Sequence, residues 1–342
     1  MSHVKPSVAW LTTNRSCNFR CRWCYARGES FRPEMTMSLG LAERILAIIC
    51  NLGIKKLLII GGEPTLWEPL IAFNGICREK GVKTTLVTNA ARFSSDRFWD
   101  AYLSSPNHKV GPSIKAHDSD SAGRLAGINN WEVVKSGLTR LVHKYQCGVS
   151  FVHSSYTRNR LLDMATFAKD CGANRIGISP CTPGFENGRP STDGMLPLSL
   201  IIEDIVKNYD RLHDLMAGKL TFSPKTPLCL WPREFIETTE KRGQLNTGCQ
   251  FQNRSGIVFG PMGELYACNS MSEFALGQID TDYVDGDSLI RLLEREEVSK
   301  AYETVNSFPS ERCVGCPKAK FCGGGCPLNW TVYDPKSSIT GW

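Results

Sequence analysis

Cys17, Cys21 and Cys24 stand in the stretch "RSCNFRCRWCYA" at C-x3-C-x2-C spacing. Three thiols so close together suggest metal or redox chemistry. A disulfide leaves one of them over. A structural zinc takes four protein ligands, usually from two C-x2-C pairs. Three thiolates leave one coordination position of a metal open, and soft thiolates suit iron–sulfur clusters. A second group lies far downstream. Cys249 is followed by Gly263 and Cys268, then by "CVGCPKAKFCGGGC" with Cys313, Cys316, Cys322 and Cys326 at C-x2-C-x5-C-x3-C spacing. Zinc is the competing reading there, because a C-x2-C pair suits it.

The compartment bears on the choice. The first residues, "MSHVKPSVAW", lack the apolar core of a signal peptide. Apolar runs such as "LLII" at 57–60 are far short of the roughly 20 residues of a membrane span. A cytoplasmic chain with no membrane partner is expected. Fifteen cysteines in a reducing compartment argue for metal or redox chemistry over disulfides. The net charge of +6 is spread along the chain without a Lys/Arg block, so no nucleic-acid partner is expected.

These cysteines must be held by something. Strand-like runs at 8–14, 57–60, 83–89, 109–116, 148–154 and 174–180 alternate with helical periodicity at 38–53, 69–81, 94–103, 130–145, 158–172 and 198–217. Such alternation implies a parallel sheet with helices outside. Six units fall short of the eight of a closed barrel, so the expected fold is α/β, a partial (β/α)6 TIM barrel. The functional loops belong at the C-terminal ends of its strands. After about residue 222 the periodicity weakens, and Pro, Gly and Cys become frequent. Two domains are expected, 1–222 and 223–342.

The cysteine loop after the first strand, with Trp23 before its last cysteine, resembles the signature of the radical S-adenosylmethionine (radical SAM) superfamily. The resemblance implies a [4Fe–4S] cluster on Cys17, Cys21 and Cys24, with its open iron chelating SAM. Cleavage of SAM then yields a 5′-deoxyadenosyl radical that abstracts hydrogen. "GGEP" at 61–64 matches the family's Gly-Gly-Glu motif, with Gly61 and Gly62 allowing close backbone approach and Glu63 accepting from the SAM ammonium. Asn89 in "VTN" ends the third strand, where relatives contact SAM. Ser113 matches a ribose-contacting serine, and Arg124 lies at the spacing of an arginine for the SAM carboxylate. Lys115 stands where relatives often carry aspartate, and offers a partner for a carboxylate of SAM or substrate.

The downstream cysteines resemble the SPASM domain, which carries auxiliary iron–sulfur clusters in peptide-modifying radical enzymes. That resemblance implies a first auxiliary cluster on Cys249, Cys268 and Cys326, and a second on Cys313, Cys316 and Cys322. One or two auxiliary [4Fe–4S] clusters are expected. Cys229 is the candidate fourth ligand of the first. The relatives' last cysteine has no counterpart after Cys326, so the second is expected to have an open iron or a non-cysteine ligand such as Asp334. Cys50, Cys77, Cys147 and Cys171 read as packing thiols. Cys181 follows the sixth strand and is the candidate catalytic thiol, returning a hydrogen atom to a substrate radical. Asn269 replaces the basic aspartate that sulfatase-maturing relatives place after the G-x4-C cysteine, which counts against formylglycine formation.

The leading expectation is an oxidoreductase that modifies a peptide or protein side chain, forming a thioether or carbon–carbon crosslink. The alternative is a dehydrogenase or epimerase acting on a sugar, nucleoside or amino acid. Few residues precede the first strand, so a separate leader-binding protein is an expected partner of a peptide substrate. An electron donor such as flavodoxin or ferredoxin is the other.

Overall fold

The computed structural model describes residues 5–26, 32–306 and 310–339. The six expected units are present. They are β1 (Val8–Thr12) with α1 (Leu39–Asn51), β2 (Lys56–Ile60) with α2 (Leu70–Glu79), and β3 (Lys83–Thr88) with α3 (Asp96–Ser104). Then come β4 (Lys109–Ile114) with α4 (Ser119–Ala126) and α5 (Trp131–Tyr145), β5 (Val149–His153) with α6 (Leu161–Asp170), and β6 (Ile176–Pro180) with α7 (Leu198–Leu215). A small antiparallel hairpin, β7 (Gly184–Glu186) and β8 (Arg189–Ser191), lies between β6 and α7.

Local chemistry starts the helices where they start. Ser38, Ser95 and Asn130 each turn a side-chain oxygen onto a backbone N–H of the first turn of α1, α3 and α5. In α1, Ala42, Ile45, Leu46, Ile48 and Ile49 form one buried face, and that face covers the sheet.

Strands β1 to β6 pair in parallel, each with the next. The sheet continues past residue 222 on both sides. β9 (Leu220–Phe222) adds in parallel to β6, and β10 (Gly256–Phe259) adds in parallel to β1. β11 (Glu264–Tyr266) and β12 (Ala275–Gln278) follow antiparallel. The ten-stranded sheet is open, in the order β12-β11-β10-β1-β2-β3-β4-β5-β6-β9. The segment after β9 also contributes α8 (Arg233–Lys241), α9 (Gly286–Leu293), α10 (Glu296–Asn306), α11 (Ala319–Cys322) and α12 (Pro335–Ser338). One continuous apolar core joins Leu11, Ile59 and Phe151 to Phe259, Tyr283 and Leu292, so the cysteine-rich part is packed onto the barrel. No helix among the described residues is long and apolar enough to cross a membrane.

Candidate functional site

The end of β1 runs into the cysteine loop, and the end of β2 lies directly against it. Gly62 N–H donates to Asn14 O at 2.8 Å, and Glu63 N–H to Ser16 O at 2.7 Å. A Cβ on Gly61 would fall 2.6 Å from Asn14 Oδ1. The two glycines therefore answer a close approach between two backbone segments. The loop's other support is α4. Arg20 N–H donates to Ala126 O at 2.7 Å and Arg22 N–H to Leu125 O at 3.0 Å.

One cavity of about 230 Å³ opens at the C-terminal ends of the strands, lined by all three loop thiols, Trp23, Gly61, Gly62, Glu63, Asn89, Ser113 and Lys115. Burial, with the charges of Glu63 and the neighbouring thiols adding to it, pushes Cys17 up to about 12, against the Phe19 N–H that donates to its sulfur. Burial pushes Cys21 up to about 11, and the Lys115 ammonium opposes it. Metal is needed to hold such thiols as thiolates.

Glu63 is nearly fully buried. Its Oε1 accepts from Thr65 N–H at 3.1 Å, Thr65 Oγ1 at 2.7 Å and Thr88 Oγ1 at 2.6 Å. Its Oε2 accepts from Asn89 N–H at 2.8 Å and keeps acceptor capacity toward the cavity. Burial raises its pKa, and these four donors oppose that. Asn89 is fixed in turn, donating from Nδ2 to Asn18 Oδ1 at 2.8 Å. Lys115 Nζ donates to Ser113 Oγ at 2.6 Å. A carboxylate, an amide, a hydroxyl and an ammonium thus face one cavity beside three thiols, a donor set that suits an amino-acid-bearing nucleoside next to an iron–sulfur cluster.

Two expected residues lie elsewhere. Arg124 is exposed on α4 and does not line the cavity. Cys181 is 7% exposed and packs behind Trp23 and Leu125, also outside the cavity lining. Burial, with Asp193 adding to it, pushes the Cys181 thiol up to about 12.

The downstream thiols form two groups. In the inner group, Cys249 shares one cavity with Cys268 and another with Cys326. Cys249 and Cys268 lie close enough to Cys326 for their charges to act on it. Tyr25 lines both the Cys249–Cys268 cavity and the loop-thiol cavity, so one ring separates them. The sequence reading missed it, although its place beside Cys24 was a signal. Asn269 lines the inner cavity with its Oδ1 buried and without a hydrogen-bond partner. In the outer group Cys229, Cys313, Cys316 and Cys322 line one cavity, and Cys322 also lines the cavity of Cys249 and Cys326. The expected sharing gave Cys229 to Cys249, Cys268 and Cys326, whereas the structure places it in the cavity of Cys313, Cys316 and Cys322. Asp334 does not line that cavity. It is exposed and caps α12, accepting from Lys336 N–H at 3.0 Å and Ser337 N–H at 3.1 Å. Among the described residues no three His, Cys, Asp or Glu side chains converge on a single-ion site. The downstream thiols line cavities rather than meeting at one point.

The hairpin β7–β8 is tied to the segment after Cys268. Glu273 accepts from Asn187 N–H at 3.0 Å and Gly188 N–H at 2.7 Å, and Phe185 meets Phe274 edge-on at 5.0 Å.

Residues 11–168 match the family model of the radical SAM superfamily. The chain carries a radical SAM domain. A radical SAM domain brings SAM and a [4Fe–4S] cluster as cofactors, and radical chemistry of the oxidoreductase type. A PqqA peptide cyclase of Rhodopseudomonas palustris is 20% identical over 323 residues, covering 94% of this chain and 82% of that protein. A probable GTP 3′,8-cyclase of Thermococcus kodakarensis is 25% identical over 170 residues, 47% of this chain and 53% of its own length. The chain therefore matches only about half of that relative. The structure of anSMEcpe with bound AdoMet and the Kp18Cys peptide superposes with a TM-score of 0.70 at 18% identity, over 98% of this chain and 92% of that one. The radical SAM fold thus extends, in this neighbour, through the cysteine-rich region.

Proposed function

We propose that this radical SAM enzyme oxidatively modifies a peptide or protein side chain, joining it to a second group by a thioether or carbon–carbon bond. The observation that carries the reading is the reach of the likeness to a PqqA peptide cyclase, which runs through the barrel and the cysteine-rich region alike. GTP 3′,8-cyclases match a smaller share of the chain, 47% in one relative and 74% in another. The neighbouring structure with a bound peptide agrees with this choice.

In this reading Cys17, Cys21 and Cys24 hold the radical SAM cluster, and the inner and outer thiol groups hold two auxiliary clusters. When bound, the first cluster and SAM supply a 5′-deoxyadenosyl radical. Glu63 Oε2 accepts from the SAM ammonium, while Thr65, Thr88 and the Asn89 backbone keep its carboxylate in place. Lys115, held by Ser113, offers its ammonium to a carboxylate. Trp23 closes one side of the cavity and excludes water there. Tyr25 lines both the loop-thiol cavity and the inner-thiol cavity, and would lie between the two clusters those thiols would hold.

The test is 5′-deoxyadenosine formation by the anaerobically reconstituted protein with SAM and a strong reductant. A Cys17→Ala/Cys21→Ala/Cys24→Ala control is expected to make none. Short peptides encoded beside the gene are expected to accelerate SAM cleavage and to lose two hydrogens by mass, whereas GTP does neither. Acceleration by GTP or another small molecule, with peptides inert, overturns the reading in favour of small-molecule chemistry.

A further inference from the structure

The outer thiol cavity is lined by Cys229, Cys313, Cys316 and Cys322, together with Pro227, Leu228, Arg312, Lys318, Ala319, Gly324 and Ile339. Arginine and lysine are cations without acceptor capacity, and the remaining side chains are apolar. Cys229 is thus the one further side chain in that lining able to bind iron. It does not line the cavities that hold Cys249, Cys268 and Cys326.

Backbone register explains the placement. Cys326 N–H donates to Lys225 O at 2.8 Å, and Asn329 Nδ2 donates to the same oxygen at 2.7 Å. Gly325 lies so close that a Cβ there would fall 2.8 Å from Lys225 O. Residue 225 is therefore fixed beside Cys326. The chain then turns through a 3-10 segment at Leu228–Leu230, and Leu228 N–H donates to Cys322 Sγ at 3.3 Å. Trp231, buried against Phe235, anchors the far side of that turn by donating from Nε1 to Thr226 Oγ1 at 2.8 Å. With 225 held at Cys326 and 228 held at Cys322, the turn delivers Cys229 to the cavity of Cys313, Cys316 and Cys322, close enough for its charge to act on Cys313 and Cys322.

We propose that Cys229 is the fourth thiolate of the cluster held by Cys313, Cys316 and Cys322, so that the outer group is closed by four cysteines and the inner group has three. A residue from the start of the cysteine-rich region thereby does the work that the sequence pattern assigns to a residue after Cys326. The assignment does not depend on which substrate is modified.

The test counts iron and labile sulfide, and records the electron paramagnetic resonance spectrum after reduction, in the full chain reconstituted anaerobically. Residues Cys17, Cys21 and Cys24 are changed to alanine so that only the downstream thiols are counted. Cys229→Ala and Cys316→Ala are expected to lose the same signal and the same amount of iron, and their double variant no more than either. Cys229→Ala with Cys249→Ala is expected to lose about twice as much, because residues in different clusters add while residues in one do not. The reverse pattern, non-additive with Cys249 and additive with Cys316, overturns the assignment. So does a Cys229→Ala protein with full iron and an unchanged spectrum, or a chain that takes up iron in neither group. A second measurement leaves Cys229 in place. In Cys316→Ala protein, alkylation mapped by mass is expected to reach Cys229 while Cys249 stays protected. Protection of Cys229 there, with loss of its protection in Cys249→Ala protein, refutes the proposal even if Cys229→Ala fails to fold.

Discussion

A Cβ placed on Gly62 falls 2.2 Å from the carbonyl oxygen of Ser16, the residue before Cys17. The obstacle is backbone, and that backbone is hydrogen-bonded to Glu63 N–H, so it cannot yield without moving the cysteine loop. Gly62→Ala is expected to cost about 1–3 kcal/mol by overpacking. It should also lower iron uptake at Cys17, Cys21 and Cys24. Gly40→Ala is the control, since a Cβ there meets nothing within 4 Å and alanine favours the helix. Thermal unfolding and iron content of both variants decide the matter. Equal behaviour of the two would remove the close-approach argument.

The Glu63 carboxylate receives two fixed backbone donors, Thr65 N–H on Oε1 and Asn89 N–H on Oε2. An amide has a single acceptor oxygen, so Glu63→Gln must aim its NH2 at one of these N–H groups in either orientation. The expected loss is about 1–3 kcal/mol, the cost of leaving a buried donor unpaired. Thr88→Val removes one hydroxyl donor and leaves the buried Ala90 N–H without its acceptor, and is expected to cost about 1–3 kcal/mol. Denaturant midpoints test both. A Gln variant as stable as the wild type would mean that the carboxylate is not held in this way.

The six strand–helix units were legible because each strand is a short apolar run and each helix has a wide apolar face. What escaped the sequence reading has physical reasons. α4 is short and polar outside, yet Asp118 and Ser121 form a capping box and Gly127 closes the helix in the left-handed region; those three residues were the available signal. β10 reads as one more apolar run, and nothing local says that it will pair with β1. That pairing joins elements about a whole domain apart in sequence, and periodicity carries no such information. Nor does periodicity say which cavity Cys229 lines. Spacing orders thiols along the chain, but the hydrogen bonds of Lys225 and Leu228 decide which cavity the next thiol enters. Arg124 was placed by spacing alone, and the turn of α4 carries it to the surface.

Cys181 lies behind Trp23, and a Cβ on Gly194 would stand 3.4 Å from its sulfur. With its pKa pushed up to about 12, it is a protonated thiol at neutral pH and a poor nucleophile. Cys181→Ala is expected to leave 5′-deoxyadenosine formation nearly unchanged, because Cys181 lies outside the cavity lining. Product made in deuterated water should carry no solvent deuterium, because a side-chain crosslink needs no hydrogen returned. Deuterium that appears in wild-type product and vanishes in Cys181→Ala would restore the thiol as a hydrogen donor and favour epimerisation.

His153 ends β5 with its ring fully buried. Its Nε2 lies 3.3 Å from Asp204 Oδ2 without the alignment of a hydrogen bond. Burial lowers its pKa from 6.5 to about 4; Asp204 opposes this and Arg158 reinforces it. The folded chain therefore keeps the ring neutral over a range in which the unfolded chain binds a proton. Stability from this group is complete above pH 6.5 and is lost as the pH falls toward about 4. The slope is at most about 1.4 kcal/mol per pH unit. Denaturant unfolding of wild type and His153→Gln across that window isolates the effect, since other titrating groups are common to both. The stability of wild type relative to the variant is expected to fall as the solution is acidified. A relative stability that instead rises toward acid means that Asp204 keeps the imidazole charged, with burial the weaker influence.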